Sequence, residues 1–301
     1  MSVYKWLHVK VINEYTEVKI IIKHSLAQLD DLPDELLTII LKNLNNVQVL
    51  YSLIGVNKWL NTFVHDSVFT SHLTLMRRSF NDSIYPLSDS ILDRFYFSIL
   101  PSIHHKIQWL NVESLSMERV LFCTDYPHLY KLDLFNLELE RAKHLFTNGN
   151  VLSDLFKNQI LSLIIRICNN KNQLTSTKDE NTIIFTNIFT VFTNLQYLNF
   201  DSSSIYSQYI SFDISPPIFI SSTLLEQHVH VVHFNDCLYL LDGRVNQLPV
   251  FRVKSSWIRR SSRLTINNTE SLPNMKCFSL YCDTDTLVYD ELIVPHFYIE
   301  C

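Results

Sequence analysis

Glycine is nearly missing from this chain, at three in 301 residues. Loops that cradle phosphates need glycine where the backbone approaches the ligand. No Gly-rich fingerprint occurs, which argues against a nucleotide-binding α/β enzyme. No uninterrupted apolar run reaches bilayer-spanning length, so no membrane partner is expected. Lys5 and Lys10 lie near the N-terminus, but the apolar core and cleavage pattern of a signal peptide are lacking. Positive charge is not in excess either. With 25 basic and 30 acidic residues the formal charge is -5, and no nucleic-acid partner is expected. One basic run, Arg259-Arg260-Ser261-Ser262-Arg263, reads as a solvated turn, with a substrate-facing patch as the alternative.

Cys123, Cys168, Cys237, Cys277, Cys282 and Cys301 are too widely spaced for a compact disulfide framework, and no Cys/His quartet suggests zinc. Reduced cysteines fit a cytoplasmic and/or nuclear protein. Of the twelve histidines, His228 and His230 alternate onto one face of an apolar strand, and His233 does not continue it. Solvated or hydrogen-bonded roles explain them more simply than metal ligation. The segment MKCFSLYCD around Cys277 and Cys282 supplies no recognisable base to activate a thiol. No catalytic, cofactor or metal site is expected, and the chain reads as a non-enzyme.

What the chain does have is 47% hydrophobic residues, a folded composition. Its length allows one elongated domain or two compact ones. The most informative stretch is Leu32–Trp59. Pro33 suits a first helical position, because its missing N–H would be unpaired there anyway. Asp34 and Glu35 place negative charge at the helix start. Leu36, Leu37, Ile40, Leu41 and Leu44 follow at helical spacing, and Asn43 with Asn45-Asn46 reads as stop and restart. Val47, Leu50, Leu53 and Ile54 form a second pattern. Val56, Trp59, Leu60, Phe63 and Val64 form a third. Helices this short are marginal alone and must hold one another or a partner. Phe69, Leu73, Leu75 and Met76 could extend this helical packing.

This stretch resembles an F-box. The matching residues are Leu32-Pro33, Glu35, Leu36-Leu37, Ile40 and Leu44, then Val49-Leu50 with Leu53, then Val56-Asn57-Lys58-Trp59. Asn57 stands where the family commonly has Cys, and the Trp falls one place earlier than in the longest form of the motif. The resemblance implies an F-box over 29–75, preceded by an extension over 1–28. It implies docking to a Skp1-like adaptor and, through it, to a cullin-RING ubiquitin ligase. Leu32, Pro33, Leu36, Leu44, Val49 and Leu53 are the candidate adaptor-facing residues. Ile40, Leu41, Ile54 and Trp59 could equally be internal packing, and the whole set could be the core of a helical cap.

Beyond the box, an LxxLxL-like pattern recurs. It begins at Ile107, Leu129, Ile160, Leu195, Leu224, Leu248 and Met275, separated by 22, 31, 35, 29, 24 and 27 residues. The fifth copy carries Gln227 at its middle position. Each copy predicts a short strand with its repeated apolar positions inward, stacked on the next. Met117–Phe122, Ala142–Phe146 and Val151–Phe156 would be connecting segments, and Asn169–Asn181 a polar loop. Ser202–Ser222 reads as an aromatic-anchored loop or a protein-contacting one. Residues 76–301 thus resemble the degenerate leucine-rich repeats found beside many F-boxes, with another buried parallel α/β arrangement as the alternative. Val288–Ile299 would cap the stack, or the sequence is incomplete. The expected fold class is α/β, an N-terminal three-helix F-box followed by an irregular leucine-rich-repeat-like solenoid. The implied role is recruitment of an unidentified protein substrate to a ubiquitin ligase.

Overall fold

The computed structural model describes residues 8–9, 20–21, 32–79, 81, 83–146, 155–168, 177–200, 208–212, 219–241, 245, 247–258 and 274–284. The fold is α/β, mixing helices with a ten-stranded, mostly parallel sheet that does not close into a barrel. The chain divides into two compact units, Met1–Leu110 with Glu118–His128, and Asn111–Met117 with Leu129–Cys301. All of the basic run at 259–263, most of Ser202–Ser222 and all of Val288–Ile299 lie outside the described residues.

In the first unit, β1 (His8–Val9) pairs antiparallel with β2 (Ile20–Ile21). Helix α1 (Asp34–Leu41) follows Pro33, with Asp34 and Glu35 in its first turn. Helix α2 (Asn46–Leu53) starts in a reciprocal cap: Asn45 Oδ1 accepts from Val47 N at 2.9 Å, and Gln48 Oε1 accepts from Asn45 N at 3.2 Å. Gly55 then turns the chain at φ +80, a conformation that disfavours side chains. Helix α3 (Lys58–Val64) is capped by Asn57, whose Oδ1 accepts from Leu60 N at 2.8 Å. Val56, expected within the third helix, is instead exposed in the turn ahead of this cap. Helix α4 (Ser67–Thr70) is capped by Asp66. Leu37, Leu41, Val47, Val49, Leu50, Leu60 and Val64 are buried. Arg94 ties a later segment to this bundle, donating to Ile54 O at 2.9 Å with its guanidinium over the Tyr51 ring.

Leu73, Leu75 and Met76 do not extend the helices. They lie on β3 (His72–Arg78), which pairs antiparallel with β4 (Ile84–Pro86). The period-two spacing of buried Leu73 and Leu75 decides this, since alternation buries one face of a strand. Helix α5 (Asp89–Arg94) continues through a π-helical turn at Phe95–Ile99 into α6 (Leu100–Ile103) and a 3₁₀ turn at His104–Lys106. Strand β5 (Trp109–Glu113) carries the chain from one unit to the other, and α7 (Ser114–Leu121) follows it.

The second unit is built on β6 (Lys131–Glu138), β7 (Ser162–Cys168), β8 (Tyr197–Phe200), β9 (Tyr209–Ile210), β10 (Glu226–His233), β11 (Val250–Trp257) and β12 (Cys277–Cys282). Adjacent strands are parallel, ordered β6-β7-β8-β10-β11-β12, with β9 beside β10. Leu132 pairs with Leu163, Leu163 with Leu198, Leu198 with Gln227, Gln227 with Phe251, and Phe251 with Phe278. Like positions of the sequence pattern therefore stand side by side. The carbonyl just before each strand repeats as well. Tyr130 O accepts from Leu161 N and Ser162 N, Leu161 O from Gln196 N and Tyr197 N, and Gln196 O from Leu225 N and Glu226 N.

Growth of a parallel sheet always toward one edge puts its crossovers, which share one hand, on one face. The crossovers carry α8 (Leu139–Leu145), α9 (Thr177–Val191) and α10 (Phe234–Leu241). Helix α9 begins inside the segment expected to be a loop. Asp179 and Glu180 occupy its first turn, where exposed N–H groups favour negative charge, and that polarity hid the helix. Strands β8 and β9 share one lane, pairing with Glu226–Val229 and then His230–Val231. Buried Gln208 completes that lane, its Oε1 accepting from Ile167 N at 2.9 Å. Asp236 pins its far end, with Oδ1 accepting from Phe212 N at 2.7 Å and Oδ2 from His233 N at 2.9 Å.

Candidate functional site

At 100° per residue, α1 separates two apolar faces. Leu37 and Leu41 point into the bundle, whereas Leu36 and Ile39 face outward and Ile40 is half-buried at the boundary. Leu36 is 50% exposed and Ile39 60%. Of the six residues singled out by sequence, Pro33 and Leu36 are exposed, Leu32 and Leu53 are half-buried, and Leu44 and Val49 are buried at 8% and 1% exposure. Leu32, Pro33 and Leu36 thus lie half-buried or exposed at the start of α1, whereas Leu44 and Val49 are packed inside. Ile39 is absent from the apolar positions at helical spacing in the sequence, yet it is exposed beside Leu36. At 100° per residue, 37 and 41 fall on one side of α1 and 36 and 39 on the other, with 40 at the boundary. Trp59, half-buried, begins an aromatic row that runs inward: its ring stacks on Phe63 at 6.0 Å, and Phe63 tilts against buried Phe69 at 5.7 Å.

The second unit offers a polar surface on the sheet face opposite its inward positions. On β10 and β11, Glu226, His228, Arg252 and Lys254 share it by alternation, with His230 buried beneath them on the same side. Two carboxylates there are each shared between a histidine and a cation. Glu226 Oε1 lies 2.7 Å from His228 Nε2 and 3.7 Å from Arg252 Nε. Asp283 lies 3.2 Å from His230 Nε2 through Oδ2 and 3.2 Å from Lys254 Nζ through Oδ1. Tyrosines flank both groups: Tyr197 near His228, Tyr209 edge-on to His230 at 4.3 Å, and Tyr281 beneath Lys254. Burial, reinforced by Lys254 and opposed by Asp283, pushes His230 down to about 4, so its ring is neutral at pH 7. This face can donate and accept many hydrogen bonds with little net charge. His228 and His230 do share it, as their alternation implies.

Other chemistry finds less support in the geometry. Burial raises the thiols of Cys123, Cys168 and Cys237, so they stay protonated and weakly nucleophilic at neutral pH. The described cysteines are free, and among the described residues no three His, Cys, Asp or Glu side chains converge as a metal site. Nor is any described helix long and apolar enough to cross a membrane. Compared with known proteins, the chain matches no family model and no curated relative.

Proposed function

We propose that this chain is a substrate-recognition subunit of a Skp1–cullin–F-box ubiquitin ligase, a non-catalytic partner that holds a protein substrate. The observation that carries this reading is the outward apolar strip of Leu36 and Ile39 on a short helix whose other face is already buried. Burying such a side chain against a partner contributes roughly 1.5–3 kcal/mol each, enough for a small hot spot after binding costs. On this reading Leu32 and Pro33, just ahead of α1, add to the adaptor-facing set. Leu44 and Val49 act from inside by fixing α1 and α2.

The second unit supports the other half of the proposal. Its recurring strands read as a leucine-rich-repeat-like solenoid, and the Tyr, His, Arg and Lys face of β10–β12 is the surface offered to substrate. Raising the local concentration of a substrate beside a charged ubiquitin carrier promotes transfer without any nucleophile in this chain. A cytoplasmic and/or nuclear site of action accords with it. The alternative is a repeat scaffold whose helices merely cap it. Pull-down of purified Skp1 by the folded full chain separates the two: no measurable complex eliminates the adaptor role.

A further inference from the structure

The sheet of the second unit is open at one end. Strand β12 is last in the strand order and, among the described residues, pairs only with β11. Leu280 is half-buried there, whereas Ile165, Phe200, Val229 and Val253 at like positions of earlier strands are buried. Open edges are usually blunted by charge, proline or a bulge. The six residues of β12 carry neither charge nor proline, and their register with β11 is unbroken.

The direction of its backbone groups follows from the bonds it already makes. Cys277 N donates to Pro249 O and Asp283 N to Ser255 O, each at 2.9 Å, so the odd-numbered residues bond toward β11. Backbone groups alternate between the two edges of a strand, and those of Leu280 and Cys282 therefore point outward. No described residue bonds to them on that side. The start of β12 is open in the same sense. Along the parallel series, the carbonyl ahead of one strand accepts from the start of the next, as far as Pro249 O with Lys276 N and Cys277 N. At β12 the equivalent acceptor is Lys276 O, and none of the described residues donates to it.

We infer that the β12 edge receives an extended segment of a partner protein, added as a further parallel strand with apolar residues at alternate positions. The parallel direction continues the series, in which each strand is anchored on the carbonyl ahead of its neighbour. A second copy of this chain, related by a two-fold axis, would lay β12 antiparallel to itself and could not repeat that anchor. The apolar residues of the segment extend the layer of Val253 and Leu280, which are paired in register. The residues between them turn their N–H groups toward the backbone of Leu280 and Cys282. This edge is distinct from the polar sheet face and from the adaptor strip, and the inference stands whether or not the chain binds Skp1.

Hydrogen exchange of the ¹⁵N-labelled full chain is the first test. The amides of Leu280 and Cys282 should exchange quickly and those of Ser279 and Tyr281 slowly. Slow exchange at Leu280 and Cys282 would mean that the edge is already covered and would overturn the proposal. The second test is titration with the peptide acetyl-Lys-Val-Thr-Leu-Ser-Ile-Lys-amide, which should shift the Leu280 and Cys282 amides. N-methylation of its Thr and Ser removes the two donors aimed at β12 and should weaken binding about tenfold. N-methylation of its Val, Leu and Ile should leave binding nearly unchanged. Leu280→Pro takes away an outward N–H without touching the bonds to β11, and proline is tolerated on an edge, so it should abolish binding while the melting temperature holds. Leu36→Asp should bind the peptide normally. No shift at β12, the reverse N-methylation pattern, or equal binding by both methylated peptides would overturn the proposal.

Discussion

Asp283 Oδ2 stands 3.2 Å from Nε2 of His230, a ring with no solvent exposure. The contact fastens the end of β12 to β10 across the intervening strand, and Thr284 Oγ1 adds a bond to Ser256 O at 2.9 Å. The charged and titratable groups around the ring are Asp283, Lys254, Tyr209 and, farther along the face, Tyr281. Its folded-state value is about 4, against 6.5 in a solvated chain. Between those values the unfolded state binds the extra proton. Stability is therefore full above about pH 6.5 and declines as pH falls toward 4, by up to about 3 kcal/mol. Urea midpoints at pH 7, 5.5 and 4.5 should show that slope, and His230→Gln should flatten it. An unchanged slope in the variant would assign the effect elsewhere.

Gln227 fills an apolar position between Leu198 and Phe251 and is fully buried. Neither end of its amide has a partner. Leucine at this position restores the pattern and removes an unsatisfied polar group, worth about 1–3 kcal/mol. Gln227→Leu should raise the thermal midpoint. A lower one would mean that the amide is satisfied in solution.

Exposure separates binding from folding on α1 and α2. Leu36→Asp should abolish adaptor binding while circular dichroism and melting temperature hold nearly steady. Val49→Asp should instead unfold the bundle, because an unpaired charge is forced into its core. Ile39→Asp should behave like Leu36→Asp. If Ile39→Asp binds normally, the strip is narrower than its exposure implies.

Asn57 caps α3 through Leu60 N. Asn57→Ala should cost about 1 kcal/mol, and Asn57→Asp should cost less, since both side-chain oxygens accept. Chemical denaturation of the full chain measures both.

Much of the second unit was legible because its signal is local. An LxxLxL copy marks a strand wherever it occurs, and Leu132, Leu163 and Leu198 pair as like positions. The lane shared by β8 and β9 was not legible. It depends on Gln208 reaching a backbone N–H of β7, a long-range polar bond with no periodicity to announce it. On α1 the difficulty was different. Leu36 and Leu37 are chemically equal, and only the packing of α2 and α3 determines which of them faces out. Glu226 and His228 share a face two residues apart on β10, whereas Asp283 is far from His230 in sequence and meets it only because β11 and β12 are in register with β10.

The pairing distances of the parallel strands have one more implication. Leu132 to Leu163, Leu163 to Leu198, and Gln227 to Phe251 span unequal lengths of chain, yet each joins equivalent positions. Alignment is set where strands touch, not by counting residues along the connectors. Connectors that differ by about ten residues thus leave the strand alignment unchanged, so their length can vary over that range while the face between them persists.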